Sequence, residues 1–318
     1  MDTLLYARFD TNNNTVKRIK MIIPEKLKIG DKIGVISTAR KITIEELSPA
    51  LKTLESWGLK VVLGINLFQE DNQFSGTVEQ RTSDLQGMID DNSIKAILCA
   101  RGGYGTVQII DFIDFTNLEK NSKWIVGYSD VTVLHSHLNN LGIASLHATM
   151  PINFESNTKE SLSSLKNSLF GNLNRIECKT HQLNKFGKIE GDVVGGNLSI
   201  LYSLLGSQSD IDSTGKILFI EDLDEYLYHI DRMMMNLKRN GMLGELKGLI
   251  VGGMSDMNDN SIAFGKTAEQ IILEYTKDYD FPICFGFPAG HLADNRCLRL
   301  GVNSVLEISK NGVSLSQQ

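Results

Sequence analysis

Continuous apolar runs alternate through most of this chain with segments whose apolar residues recur every three to four positions. Lys32-Ile33-Gly34-Val35-Ile36-Ser37, Lys60-Val61-Val62-Leu63, Ala96-Ile97-Leu98-Cys99-Ala100 and Trp124-Ile125-Val126 predict four short strands, the runs of continuous apolar residues being those of parallel strands buried on both faces. Between and after them the 3.6-residue period predicts helices. One spans 43–57, with Leu47, Leu51 and Leu54 on one face and Gly58 closing it; another spans 78–90, with Leu85, Met88 and Ile89. A third starts at Thr106 and carries Val107, Ile109, Ile110 and Phe112, and a fourth runs from Asp130 to about Asn140. Such alternation builds βαβ units on an open, mostly parallel sheet, which binds ligands at the carboxyl ends of its strands.

Past Pro151 the pattern weakens. Residues 155–190 are rich in Ser, Asn and Lys, with a short helix expected at 158–169, and the connection between two domains is placed here. Gly191-Asp192-Val193-Val194-Gly195-Gly196-Asn197 leads into an apolar helix, 198–205. Strands are expected over 216–222, 249–254 and 282–291, and helices over 227–240 and 266–278. Residues 302–316 alternate like an edge hairpin around Asn311-Gly312. The domain expectation is a mobile extension over 1–20, a nucleophile-bearing domain over 21–170, a linker over 171–190 and a second domain over 191–318.

Composition narrows the class. At 318 residues the chain is long enough for two cores, and its 42% hydrophobic and 22% charged content is that of a globular protein. A net charge of −6 argues against nucleic acid or an anionic membrane as partner. No apolar run approaches the roughly 20 residues of a membrane span, and the opening residues do not form a signal peptide. Cys99, Cys178, Cys284 and Cys297 lie far apart without a C-x-x-C pair, which suggests reduced core cysteines and a cytoplasmic location. Neither H-x-x-x-H nor H-E-x-x-H occurs, so no metal site is expected.

The candidate chemistry falls at strand ends. Gly127-Tyr128-Ser129-Asp130-Val131 follows a strand and precedes a helix, the geometry of a nucleophile elbow, although Val131 stands where G-x-S-x-G has its second glycine. The same residues also suit a helix N-cap by Ser129 or Asp130. Arg101-Gly102-Gly103-Tyr104-Gly105 suits a phosphate cradle, an oxyanion site or a tight turn. Gly195-Gly196-Asn197 suits close packing of two segments. Glu221-Asp222, with Asp224 and Glu225 beyond, suits a metal, the orientation of a histidine, or plain capping and solvation. His291 follows a Gly- and Pro-shaped loop. His137 is expected to face solvent, and His135 to pack or bond locally. The combination discriminates: Ser129, Glu221 and His291 each follow an apolar strand, in an order by which α/β hydrolases assemble serine triads.

At these residues the chain resembles the LD-carboxypeptidase family of serine peptidases. The resemblance spans about 21–318 and rests on Leu27-Lys28-Ile29-Gly30-Asp31, Ala100 to Thr106, Gly127-Tyr128-Ser129-Asp130, Gly195-Gly196-Asn197-Leu198, Ile220-Glu221-Asp222 with Ile230-Asp231-Arg232, and Gly286 to His291. It implies a flavodoxin-like N-terminal domain, a smaller β-rich α/β C-terminal domain, a homodimer and no cofactor. It further implies Ser129 as nucleophile, Glu221 as acid, His291 as base, and backbone N–H groups of Asp130, Gly102 and Gly103 as the oxyanion hole. The implied reaction releases terminal D-alanine from murein tetrapeptide in the cytoplasm. Arg101, Tyr104, Arg232 and Arg296 are candidate substrate contacts. Where many members have His-Gly-Pro-Met, this chain has His147-Ala148-Thr149-Met150. Two alternatives stand beside this reading: an immunity-type amidase that uses the same triad on a peptidyl-nucleotide antibiotic, and a non-catalytic nucleotide or phosphate binder.

Overall fold

A computed structural model describes residues 20–172 and 174–317; all but Lys20 of the expected extension lies outside them. The first domain carries five strands, β1 (Lys32–Ile36), β2 (Lys60–Leu63), β3 (Ile94–Cys99), β4 (Trp124–Gly127) and β5 (Ser145–His147). Its helices are α1 (Ile44–Ser56), α2 (Val78–Asp90), α3 (Thr116–Lys120), α4 (Thr132–Asn140) and α5 (Lys159–Leu169). Thr43 with Glu46, and Thr77 with Gln80, close reciprocal capping boxes that start α1 and α2. The second domain contains β6 (Asn174–Cys178), β7 (Gly187–Asn197), α6 (Leu198–Leu204), β8 (Ile217–Leu223), α7 (Leu227–Arg239), β9 (Gly248–Ser255), α8 (Ala268–Thr276) and β10 (Ile283–Cys284). The chain then adds β11 (Leu298–Leu300), β12 (Asn303–Ser309) and β13 (Gly312–Gln317).

In the first sheet the order is β11-β5-β4-β3-β1-β2, with β1 to β5 mutually parallel and β11 antiparallel at the edge. Read from the other edge the parallel strands run 2-1-3-4-5, the flavodoxin-like order, whose topological switch point lies between β1 and β3. Alternate residues of the central strands feed opposite faces. Ile33, Val35, Ala96, Leu98, Trp124 and Val126 join one core cluster, while Ile36, Ile97, Cys99 and Ile125 join the other. The second sheet runs β10-β9-β8-β7-β12-β13-β6, parallel from β7 through β10 and antiparallel beyond β7. β11 couples the domains: it pairs with β5, yet Leu298 and Leu300 pack with Val193 and Phe219 of the second sheet.

Several elements differ from the sequence expectation. The segment after Thr106 forms two single 3₁₀ turns, 106–108 and 110–112, in place of a helix. Only Thr106, Ile109 and Ile110 are buried there, and Phe112 stands 67% exposed, too narrow an apolar face to hold a longer helix. Of 282–291, only Ile283–Cys284 pairs as a strand. The C-terminal hairpin lies inside its sheet, with β6 outside it at the edge, and β6 and the first residues of β7 fall within 171–190. β5, β6 and β11 are additional strands.

Candidate active site

β4 delivers a buried strand to Gly127, and the chain then turns through Ser129 at φ 62° into a short 3₁₀ turn and α4. A serine in the left-handed region is strained backbone, held by what surrounds it. His135, one helical turn along α4, bonds the Gly127 carbonyl through Nε2 (2.9 Å) and the Ser145 hydroxyl through Nδ1 (2.8 Å). Burial pushes this imidazole down to about 4, so Nε2–H donates to the carbonyl and the ring stays neutral. Asp130 turns inward, and its Oδ2 accepts the Thr106 N–H at 2.8 Å. Neither Ser129 nor Asp130 caps α4, which is preceded by Val131 without a side-chain cap. Val131 packs against Gly127: a Cβ on that glycine would fall 2.8 Å from a Val131 methyl. The valine thus fills the space beside the turn that the usual elbow leaves to glycine.

The Gly-rich loop after β3 lies against this turn. A Cβ on Gly102 would sit 3.1 Å from Ser129 Cβ and 3.3 Å from Ser129 Oγ. Among the described residues the N–H groups of Gly102, Gly103 and Asp130 donate no hydrogen bond. Free donors beside a displayed hydroxyl are what an oxyanion requires. The loop is fixed from beneath by Arg81 of α2, 2% exposed, whose Nη1 donates to the carbonyls of Thr38 (2.8 Å) and Gly105 (2.9 Å) and whose Nη2 donates to Gln108 Oε1 (2.8 Å). The sequence offers no signal for this buried arginine, because its acceptors are oxygens from two segments distant from it in sequence.

From the other domain, β8 brings Glu221 to the interface. The β8–β9 register shifts between Ile220 and Asp222, a bulge that re-aims the intervening side chain. Glu221 is fully buried, and its Oε2 accepts both the His291 backbone N–H (3.1 Å) and His291 Nδ1–H (2.7 Å). A carboxylate only accepts, so Nε2 holds the lone pair of the neutral ring. The close approach depends on Gly290, at φ 103°, where any Cβ would lie 2.6 Å from Glu221 Oε2. Asn295 Oδ1 receives the Gly290 N–H at 2.9 Å. The Tyr128 ring stands 4.8 Å from the His291 ring, bringing the elbow and the histidine to one place. Ser129 Oγ makes no hydrogen bond among the described residues, to His291 included.

Electrostatics follow from this packing. Burial disfavours the His291 imidazolium, but the hydrogen bond and charge of Glu221, with the charge of Asp222, outweigh it and raise His291 above its ordinary value of 6.5. The ring can take a proton at Nε2 only while it is neutral, and it becomes charged as pH drops through this raised value. In a mechanism that uses His291 as base, the acid limb of kcat/KM is expected above pH 6.5, as pH-rate profiles will measure. Asp222 is pushed up to about 7 by burial and then by the charge of Glu221. It accepts from Asn197 Nδ2 and Ser199 N, each at 2.9 Å, and so secures the start of α6. Gly196 serves close packing: a Cβ there would meet Thr132 Oγ1 of α4 at 2.4 Å, and Thr132 Oγ1 accepts the Asn197 N–H at 3.0 Å.

The remaining candidates are engaged elsewhere or unlinked to the serine. Arg101 reaches Glu46 (3.5 Å) and the Lys41 carbonyl (3.3 Å), and Arg296 grips Asp294 through Nε and Nη2. Arg232 lies over the Tyr228 ring at 5.2 Å on α7, and Tyr104 is half exposed, 6.2 Å from Phe74. Asp224 bonds Asn258, and Glu225 bonds His229. Among the described residues no group of three or more His, Cys, Asp or Glu is placed to hold a metal ion, and no helix is long and apolar enough to cross a membrane. His137 does not simply face solvent: it packs on Phe115 at 4.9 Å and bonds Ser209. His147 is fully buried between Tyr128, His135 and Phe219, and burial holds it neutral.

Comparison with known proteins agrees with this layout. The LD-carboxypeptidase N-terminal domain matches residues 33–148, and the LD-carboxypeptidase C-terminal domain matches residues 190–306. A probable murein peptide carboxypeptidase of Bacillus subtilis (strain 168) is 35% identical over 300 residues, covering 90% of this chain and 92% of its own length. The microcin C7 self-immunity protein MccF of Escherichia coli is 25% identical over 336 residues, covering 93% and 96%. The crystal structure of muramoyltetrapeptide carboxypeptidase from Oxalobacter formigenes superposes with a TM-score of 0.82 at 25% identity, covering 90% and 98%. With both domain types matched in order across most of its length, this chain belongs to the LD-carboxypeptidase family.

Proposed function

We propose that this chain is a serine carboxypeptidase that hydrolyses the L,D amide releasing terminal D-alanine from murein tetrapeptide, with Ser129, Glu221 and His291 as its triad. The observation that carries the reading is the buried Glu221–His291 pair, whose imidazole stands 4.8 Å from the ring of Tyr128, the residue before Ser129. His291 Nε2 takes the Ser129 proton as Oγ attacks the amide carbonyl. Glu221 fixes the tautomer and stabilises the imidazolium. The N–H groups of Gly102, Gly103 and Asp130 receive the oxyanion. His291 then protonates the departing D-alanine amine, and water repeats the cycle on the acyl-enzyme. The Ser129–His291 hydrogen bond forms as substrate enters, since such bonds tighten in the Michaelis complex.

The names of the relatives support a murein peptide as substrate. The likeness to the immunity protein keeps a peptidyl-nucleotide amide as the competing substrate class. Parallel turnover assays separate them: equimolar tripeptide and D-alanine are expected from murein tetrapeptide. Cleavage confined to the peptidyl-nucleotide would reassign the substrate, and cleavage of neither would remove the hydrolase reading. The family resemblance also leads us to read the enzyme as a cytoplasmic homodimer.

A further inference from the structure

We propose that Arg40 is the cation that binds the substrate's terminal carboxylate and so makes this chain specific for a free C-terminus. The inference rests on the carboxypeptidase reading, in which a carboxylate must sit a few bonds beyond the scissile carbonyl.

Arg40 lies in the loop after β1, and Gly102-Gly103 in the loop after β3. These loops flank the topological switch point, where open α/β sheets place their ligands. Gly103 is at φ 117°, and a Cβ there would fall 2.7 Å from both Cγ and Cδ of Arg40 and 3.0 Å from its Nε. The arginine stem thus lies flat on the Gly103 backbone. The neighbouring Gly102 abuts Ser129, and consecutive α-carbons are about 3.8 Å apart. One turn therefore carries the serine hydroxyl on one residue and the arginine stem on the next.

The Arg40 backbone is held from three sides. Its N–H reaches the Gly102 carbonyl at 3.4 Å, its carbonyl accepts from Ser37 Oγ at 2.5 Å, and it bridges Phe74. Its guanidinium, by contrast, has no ion pair and no hydrogen bond among the described residues. Glu70 is paired with Lys41 at 2.7 Å and Glu46 with Arg101 at 3.5 Å. Gly103 is required for this arrangement twice over, by its φ and by the stem against it. A planar fork with five donors suits a carboxylate at the end of a peptide.

The test compares two peptides that differ only at the C-terminus, murein tetrapeptide ending in D-alanine and the same peptide ending in D-alaninamide. Wild type, Arg40→Met and Arg40→Lys are assayed on both, and binding of both to Ser129→Ala proteins with and without Arg40→Met is measured by calorimetry. Arg40→Met is expected to lose about 10- to 100-fold in kcat/KM on the acid, mostly through KM, and to change little on the amide. Arg40→Lys is expected to recover part of the loss on the acid. Equal losses on both peptides, or no loss on the acid, would overturn the proposal while the hydrolase reading stands. If wild type cleaves neither peptide, acid binding weakened by Arg40→Met keeps the carboxylate site without the hydrolase. Acid binding that is absent, or indifferent to Arg40, overturns the site as well.

Discussion

Ser129→Ala is expected to lower kcat on murein tetrapeptide by about 10⁵- to 10⁶-fold, with KM changed far less, since triad nucleophiles in comparable sites cost this much. Ser129 is half-buried, its hydroxyl makes no hydrogen bond among the described residues, and its φ of 62° is strained. Alanine removes the hydroxyl alone and accepts the same backbone no better than serine. The fold is expected to survive, because the elbow is fixed by Asp130, His135 and the packing of Val131 on Gly127. Steady-state release of D-alanine measures the effect. A variant retaining a tenth of wild-type kcat would mean that the Ser129 hydroxyl is not the attacking group.

Glu221→Gln carries the second large effect. The amide oxygen can still accept from the His291 N–H and Nδ1–H at the position of Oε2, and its NH₂ then replaces Oε1, which has no hydrogen-bond partner among the described residues. Shape and tautomer are therefore preserved while the charge is lost. Burial, the largest influence on His291, is then opposed by much less, so its imidazolium is disfavoured. The expected result is a fall in kcat of about 10³- to 10⁴-fold together with a shift of the acid limb to lower pH. The two readouts separate roles. A merely structural Glu221 would lower activity without moving the limb, and an unmoved limb would contradict the account.

Much of this arrangement is legible in the chain itself. The runs at 33–36, 96–100 and 124–126 are apolar because both faces of the central strands are covered, so they stand out without context. Ser129, Glu221 and His291 are visible because each ends or follows such a run. The strands β5, β6 and β11 are not legible. Ser145-Leu146-His147 and Leu298-Arg299-Leu300 hold polar residues whose partners come from elsewhere, such as Ser145 from His135 and Arg299 from the Asn172 carbonyl. Local pattern carries no trace of those partners. Arg81 looks like an ordinary helix-surface residue until the carbonyls of Thr38 and Gly105 close over it. Arg40 is hidden for the converse reason: its guanidinium makes no hydrogen bond or ion pair among the described residues, and the turn it lies against comes from far along the chain. Arg101, Arg232 and Arg296 are conspicuous by sequence, yet each already has a contact within the chain.

The nucleophile is the point on which the account turns, and covalent capture tests it most directly. The chain is treated with a phosphonate aryl ester analogue of murein tetrapeptide, in which phosphorus replaces the scissile carbonyl carbon and the attacking oxygen displaces a phenol from it. The adduct is then weighed on the intact protein and mapped by peptide mass spectrometry. One adduct per chain on Ser129, formed far more slowly in Glu221→Gln and His291→Ala, is the predicted result. An adduct on another residue with Ser129 unmodified, or no adduct on a chain that still releases D-alanine, would contradict it.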